Sequence, residues 1–185
     1  MNFIGIYDNM LSSDDCQYII DEFERHPNKR DGVISIGGYD VIAKSQKDST
    51  DLTISFFECN KLTDILSNGL SEGTEKYCQD YPEVDTINNW TVFPSFNIQR
   101  YLPGQGFHNP HCEMDAPGNP RVLAWMFYLN TVTDAGETRF PSYDLNVNPV
   151  EGRLVIWPAY FTHIHHGVVS KTQTKYIATG WYAFY

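Results

Sequence analysis

A mainly β protein, α+β overall, with helices first and a sandwich- or barrel-like β core second, is what the sequence predicts. From residue 90 onward the chain breaks into short β-like runs separated by Gly, Pro and Asn. That punctuation belongs to an antiparallel sandwich or barrel rather than to a parallel α/β sheet. Residues 1–90 instead hold two stretches with apolar residues near helical spacing. A length of 185 residues with 42% apolar and 15% aromatic residues supports a sizeable core and excludes a disordered chain.

Ser12-x-x-Asp15 has the form of a capping box and opens a helix whose apolar positions are Ile19, Ile20 and Phe23; Pro27 ends it. Short β-like runs at 33–36 and 39–42 follow, among Gly32, Gly37 and Gly38, and then a strand at 52–57. The second helix spans 61–77 on Leu62, Ile65, Leu66 and Leu70, with Gly69 and Gly73 weakening its second half. Strands are expected at 95–102, 108–113, 121–130, 137–140, 146–149, 153–157, 164–170 and 175–184. No repeat, linker or low-complexity tract interrupts the chain. A single domain over 1–185 is therefore expected, with a helical supporting part at 1–90 and the β core at 91–185.

The formal net charge is −10, and its excess lies wholly in residues 1–90, with seventeen acidic and seven basic residues against six of each in 91–185. Such a balance argues against non-specific binding to nucleic acid or to anionic membranes, which rests on clustered Lys and Arg. Cys16, Cys59, Cys78 and Cys112 stand singly, without Cys-x-x-Cys spacing, and read as free thiols of a reducing compartment. The first residues show no basic n-region or apolar h-region, and no 18-residue apolar run occurs. A cytoplasmic protein without a membrane segment is the expectation.

Five of the six histidines and seventeen of the 27 aromatic residues fall in 91–185, so chemistry is expected there. On a strand, residues i and i+2 share a face, which puts the His111 imidazole beside the Glu113 carboxylate. One further histidine from His163, His165 and His166 completes a 2-His-1-carboxylate set, whose open positions suit non-haem Fe(II). Strand parity puts His163 and His165 on one face and His166 on the other. Alone, His-x-Glu is commonly just a pair on a surface strand.

The surrounding sequence says more. The segments NIQRYLPGQGFHNPHCEMD, RVLAWMFYLNTVTDAGETRFP and VNPVEGRLVIWPAYFTHIHHGVVSKTQTKYIATGW cover about residues 97–182. Together they resemble the catalytic core of the Fe(II)- and 2-oxoglutarate-dependent dioxygenases, in particular the prolyl 4-hydroxylase-like branch. That branch shows Tyr-x-x-Gly-Gln before His-x-Asp, then a Tyr-Leu strand, Gly-Gly-Glu-Thr, Phe-Pro, a Pro-x-x-Gly turn, and His-x-Gly with a Lys ten residues on. The resemblance implies a double-stranded β-helix, a form of jelly roll, flanked by N-terminal helices. It implies Fe(II), 2-oxoglutarate and O₂ as cofactor and co-substrates, with ascorbate in support. The implied reaction converts 2-oxoglutarate to succinate and CO₂ while hydroxylating a C–H bond, in the first instance that of a prolyl residue in a peptide or protein.

Carried over residue by residue, the resemblance makes His111, Glu113 and His165 the metal ligands, His165 because His165-x-Gly167 and Lys175 reproduce the family spacing. His163 is then the runner-up and His108 lies near the metal without touching it. Lys175 matches the basic residue for the distal carboxylate of 2-oxoglutarate, Thr138 the threonine that supports it, and Tyr101 a tyrosine beside the co-substrate. Trp181, six residues beyond Lys175, shares its face and lines the pocket wall. Arg121 matches an arginine near the peptide substrate. Two positions depart from the pattern: Glu113 stands where Asp is usual, and Ala135 replaces the first Gly of Gly-Gly-Glu-Thr. The stretch from Glu113 to Arg121 is also short, so the substrate loops differ. Other readings are a zinc hydrolase using the same ligands, a non-catalytic jelly-roll binding module, or a relative unable to hold iron because of Glu113. The first two have no need of Lys175 and Thr138 at their spacings.

Overall fold

The computed structural model describes residues 1–36, 39–114, 118 and 120–185, and of Ile36 the backbone alone. Gly37 and Gly38 of the early β-like runs, and most of the short stretch from Glu113 to Arg121, lie outside the described residues.

Helix α1 (Ser13–Arg25) starts where expected, with the Ser12 hydroxyl accepting from the Asp15 N–H at 3.1 Å, and it buries Cys16, Ile19 and Phe23. Helix α2 (Lys61–Asp80) is capped by Asn60 and runs past residue 77. Gly69 and Gly73 do not weaken it; both lie on its buried face. A Cβ on Gly73 would run into the Leu154 side chain of the sheet below, so close approach of helix to sheet is what these glycines allow.

The helices lie on a large antiparallel sheet whose strand order is Gly5–Tyr7, Leu154–Pro158, Arg121–Tyr128, Lys175–Phe184, Ser95–Tyr101, Thr50–Ser55, Arg30–Asp31. Trp90–Val92 pairs with the end of Lys175–Phe184. A smaller sheet, Leu145–Val147, Thr138–Phe140 and His166–Gly167, belongs to the other half of the roll, alongside the pair formed by Lys47–Asp48 and Gly106–Phe107. This is the jelly roll that the motifs implied.

Period-two alternation decides what faces where. Phe96, Ile98, Trp125, Phe127, Leu154 and Ile156 pack under the helices. Their neighbours Tyr101, Met126, Tyr128, Val155, Trp157 and Ile177 turn to the opposite face and meet Phe140 and Val147 of the smaller sheet.

Several boundaries differ from expectation. Residues 108–113 are not a strand: pairing stops at Phe107 and resumes only as a single bridge between His111 and His165. Pro110 offers no N–H to a ladder there. Of 164–170 only His166–Gly167 is strand, and Phe161–His163 before it winds into a short 3₁₀ turn. The strand expected at 52–57 is Thr50–Ser55, and Phe56–Glu58 is another 3₁₀ turn. Gly5–Tyr7 pairs with Leu154–Pro158, a strand too short to show in the sequence.

Candidate active site

Between the sheets lies a cavity of about 1260 Å³. His111, Glu113, His165, Lys175, Thr138, Tyr101, Trp181 and Arg121 all line it, so the fold brings together every site residue expected from the sequence.

His111 and His165 are tied to each other through the backbone, each N–H donating to the other's carbonyl at 3.0 and 2.9 Å. The His111 ring lies flat on Phe107, with centroids 3.7 Å apart and planes 13° from parallel. Its Nδ1 faces the Asn109 carbonyl at 2.8 Å, and His165 Nδ1 faces the His163 carbonyl at 2.9 Å. A carbonyl only accepts, so each Nδ1 carries the proton and each Nε2 turns its lone pair inward. Those two Nε2 atoms stand 3.6 and 3.3 Å from Glu113 Oε1.

Three acceptor atoms within 4.8 Å of one another make a place suited to a positive centre. A second proton on His165 is disfavoured, since burial holds its pKa below the ordinary value even with Glu113 adjacent. Two imidazole nitrogens and one carboxylate oxygen thus converge, a donor set that fits a divalent transition metal with positions left open for other ligands. The outward-facing Nδ1–H bonds to carbonyls are the supports such ligands ordinarily have.

The second carboxylate oxygen of Glu113 accepts a hydrogen bond from Trp181 Nε1 at 2.7 Å. Arg121 stacks 3.6 Å over the Trp181 ring and donates to the Glu113 backbone carbonyl at 2.8 Å.

Lys175 is 6% exposed. Its ammonium donates to the Gly136 carbonyl at 2.9 Å and lies 5.1 Å from the centre of the Tyr101 ring. Burial pushes its pKa down to about 8, against the raising charge of Glu137. Among the described residues no carboxylate comes within ion-pair distance of Nζ. A buried cation without an anionic partner is costly, and a carboxylate entering the cavity supplies that partner. Thr138, beside it, accepts from the Tyr128 hydroxyl at 2.7 Å.

The sequence profile of the 2OG-Fe(II) oxygenase superfamily matches residues 96–183. The β core is thus a 2OG-Fe(II) oxygenase domain. The oxygenase is a 2-oxoglutarate-dependent dioxygenase, and its family works with Fe(II), 2-oxoglutarate and O₂. No curated protein matches the sequence. Solved structures share the fold of the oxygenase. A viral collagen prolyl hydroxylase from Paramecium Bursaria Chlorella virus-1, in complex with 2-oxoglutarate, is 18% identical with a TM-score of 0.70 over 100% of this chain and 97% of its own. A Pseudomonas putida prolyl-4-hydroxylase is 15% identical at TM-score 0.72, covering 100% and 94%. A Trichoplax adhaerens prolyl hydroxylase, in complex with a hypoxia inducible factor oxygen degradation domain peptide, is 16% identical at 0.76, covering 99% and 84%.

The remaining histidines of the oxygenase have other work. His163 sits in the 3₁₀ turn, so strand parity does not apply to it. Its Nε2 bonds the Asn2 carbonyl at 2.8 Å, its Nδ1 meets the Thr162 hydroxyl at 2.9 Å, and its ring packs on Tyr143. Both nitrogens are engaged away from the cluster. His166 belongs to the small sheet opposite Arg139, and His108 packs against Gly106.

The residue at the departing turn position, Ala135, has φ of 59° and is followed by Gly136 at 84°. The turn does need the left-handed region there, and an alanine holds it under strain. The Gly136 carbonyl it presents is the one that Lys175 binds.

Nothing in the sequence pointed to the polar group behind Tyr101. The buried pair Lys47–Asp51 closes at 2.6 Å, Ser49 and Gln99 also donate to Asp51, and the Tyr101 hydroxyl donates to Gln99 Oε1 at 2.6 Å. Tyr101 therefore shows its ring to Lys175 and turns its hydroxyl away. Only the alternation Lys47-x-Ser49-x-Asp51 hints at such a cluster, and polar alternation ordinarily marks a solvent face. Among the described residues no helix is long and apolar enough to cross a membrane.

Proposed function

We propose that this oxygenase hydroxylates a prolyl residue of a peptide or protein, with iron on His111, Glu113 and His165 and the distal carboxylate of 2-oxoglutarate on Lys175. The observation that carries the proposal is the pairing, in one cavity, of three converging acceptors with a buried ammonium that has no ion-pair partner among the described residues. A zinc hydrolase or a binding module has no use for the second half of that pair. Bound iron supplies the oxidation, in which one atom of O₂ enters the substrate C–H bond as hydroxyl and the other enters succinate as 2-oxoglutarate loses CO₂.

The protein's own side chains do the rest. Lys175 fixes the far end of the keto acid by a charge-assisted contact, Thr138 supports the same carboxylate, and the Tyr101 ring flanks it. Trp157, Ile177 and Met126 line the cavity with apolar surface, which excludes water from the reacting atoms. A volume of about 1260 Å³ leaves space beyond the co-substrate for a peptide segment. The three structural neighbours are prolyl hydroxylases, and the Trichoplax one is seen with a peptide; these support the substrate class.

The test is incubation with Fe(II), ascorbate and 2-oxoglutarate, following succinate and the gain of one oxygen atom by mass spectrometry across Pro-rich peptides, free amino acids and small metabolites. Equimolar succinate and hydroxylated peptidyl proline are expected. Oxygen gained only by a free amino acid or metabolite would overturn the peptide substrate. Failure to bind 2-oxoglutarate at all would overturn the oxygenase site.

A further inference from the structure

Glu113 stands where the family pattern has Asp, and its extra methylene adds a rotatable bond that must be frozen before the carboxylate can serve a metal. We propose that Trp181 and Arg121 form a clamp that freezes it, which makes both of them positioning residues for Glu113. The inference rests on the assignment of His111, Glu113 and His165 as ligands given above.

An indole has a single N–H and only donates. The 2.7 Å bond from Trp181 Nε1 to Oε2 therefore determines which carboxylate oxygen is turned away from the histidines. The other, Oε1, is left facing both imidazole Nε2 atoms at 3.6 and 3.3 Å. Arg121 holds the two ends of this arrangement together. Its guanidinium covers the Trp181 ring at 3.6 Å, bonds the Glu113 backbone carbonyl at 2.8 Å, and comes to 3.9 Å from Oε2.

The Glu113 backbone is fixed from the opposite side by its N–H to the Ala159 carbonyl at 3.0 Å. Phe93 meets the Trp181 ring edge-on with centroids 6.2 Å apart, which restrains the indole itself. With backbone and far oxygen both held, the intervening bonds of the glutamate are restrained.

The clamp is specific to glutamate. An aspartate carboxylate sits about 1.5 Å closer to the backbone, beyond the reach of the indole N–H. Trp181 as a simple pocket wall would be equally well replaced by Phe in either background, whereas Trp181 as a clamp matters only while residue 113 is Glu.

The test is Co(II) binding to the whole metal-free protein, followed by the visible absorption of the bound ion. The chains compared are native, Trp181→Phe, Glu113→Asp, the double variant, Arg121→Gln and His165→Ala. Binding by the native chain and its loss in His165→Ala establish the ligand assignment; no such difference overturns that assignment separately from the clamp. Given that control, Trp181→Phe is expected to weaken Co(II) about tenfold and to shift its absorption band. In the Glu113→Asp background the same change is expected to alter affinity by less than about twofold, since the coupled partner is gone. An unchanged affinity and spectrum in Trp181→Phe, or the same loss in both backgrounds, would overturn the clamp. Thermal unfolding checks that each variant is folded. If Trp181→Phe is not, Arg121→Gln carries the decision: weaker Co(II) binding supports the clamp and unchanged binding contradicts it.

Discussion

Lys175 shows how one side chain can be both a cost and a tool. Burial depresses its pKa from 10.5 to about 8, so the folded protein gives up a proton that the unfolded chain keeps. Between those two values the unfolded state binds more protons, and stability rises with pH. Co-substrate binding runs the other way, because the ammonium is what receives the carboxylate. Calorimetric affinity for 2-oxoglutarate, measured on the Mn(II)-loaded protein, is expected to fall as pH rises through 8, approaching tenfold per pH unit. Lys175→Arg should abolish that pH dependence, since a guanidinium stays charged, and Lys175→Ala should weaken binding at every pH. A Lys175→Arg variant with an unchanged pH profile would assign the titration elsewhere. The same scale separates two histidines that look alike in the sequence. His163→Ala is expected to cost about 1–3 kcal/mol of stability by orphaning the Asn2 carbonyl, measured by denaturant unfolding, and to leave metal binding intact.

At the scale of elements, the turn before Thr138–Phe140 carries a measurable strain. Ala135 at φ of 59° pays a steric cost that glycine would not. Relief of about 1–2 kcal/mol is offset by glycine's larger unfolded-state freedom of about 0.5–1 kcal/mol. Ala135→Gly is expected to raise stability by up to about 1.5 kcal/mol, read from the denaturant midpoint; a destabilised variant would show that the αL geometry is not what Ala135 contributes.

Elements long enough to show a period were legible in the sequence: α1, α2, and the strands Ser95–Tyr101, Arg121–Tyr128 and Lys175–Phe184. Of the short strands, Gly5–Tyr7 and Gly106–Phe107 were not, because a period of two cannot be seen in so few residues, whereas Thr138–Phe140 showed through the turn residues that flank it. The face shared by His111 and Glu113 was anticipated for the wrong local reason. Their convergence comes from the bridge to His165 and from the Glu113 N–H on Ala159, both non-local. His111, Glu113, His165 and Lys175, which the cavity brings together, could be named from the family resemblance. The bond from Trp181 to Glu113 could not, since it joins residues 68 apart.

For the whole molecule, the acidic excess of residues 1–90 does not weigh on the cavity. The candidate site is built mainly by the formally neutral 91–185, and the charged residues that the first half adds to its lining balance, Arg30 and Lys47 against Asp40 and Asp51. Ligand binding should then register as global stability. Mn(II) with 2-oxoglutarate at a hundredfold excess over their joint dissociation constant is expected to add about 2.7 kcal/mol. That is a rise of roughly 5–10 °C in Tm for a chain of this size. His165→Ala should show no such rise. The measurement that bears most directly on the site is anaerobic Fe(II) binding by equilibrium dialysis to the native chain, His165→Ala and His163→Ala. One iron per chain is expected in the native protein and in His163→Ala, with none in His165→Ala. Iron retained by His165→Ala, or lost from a folded His163→Ala, would contradict the account.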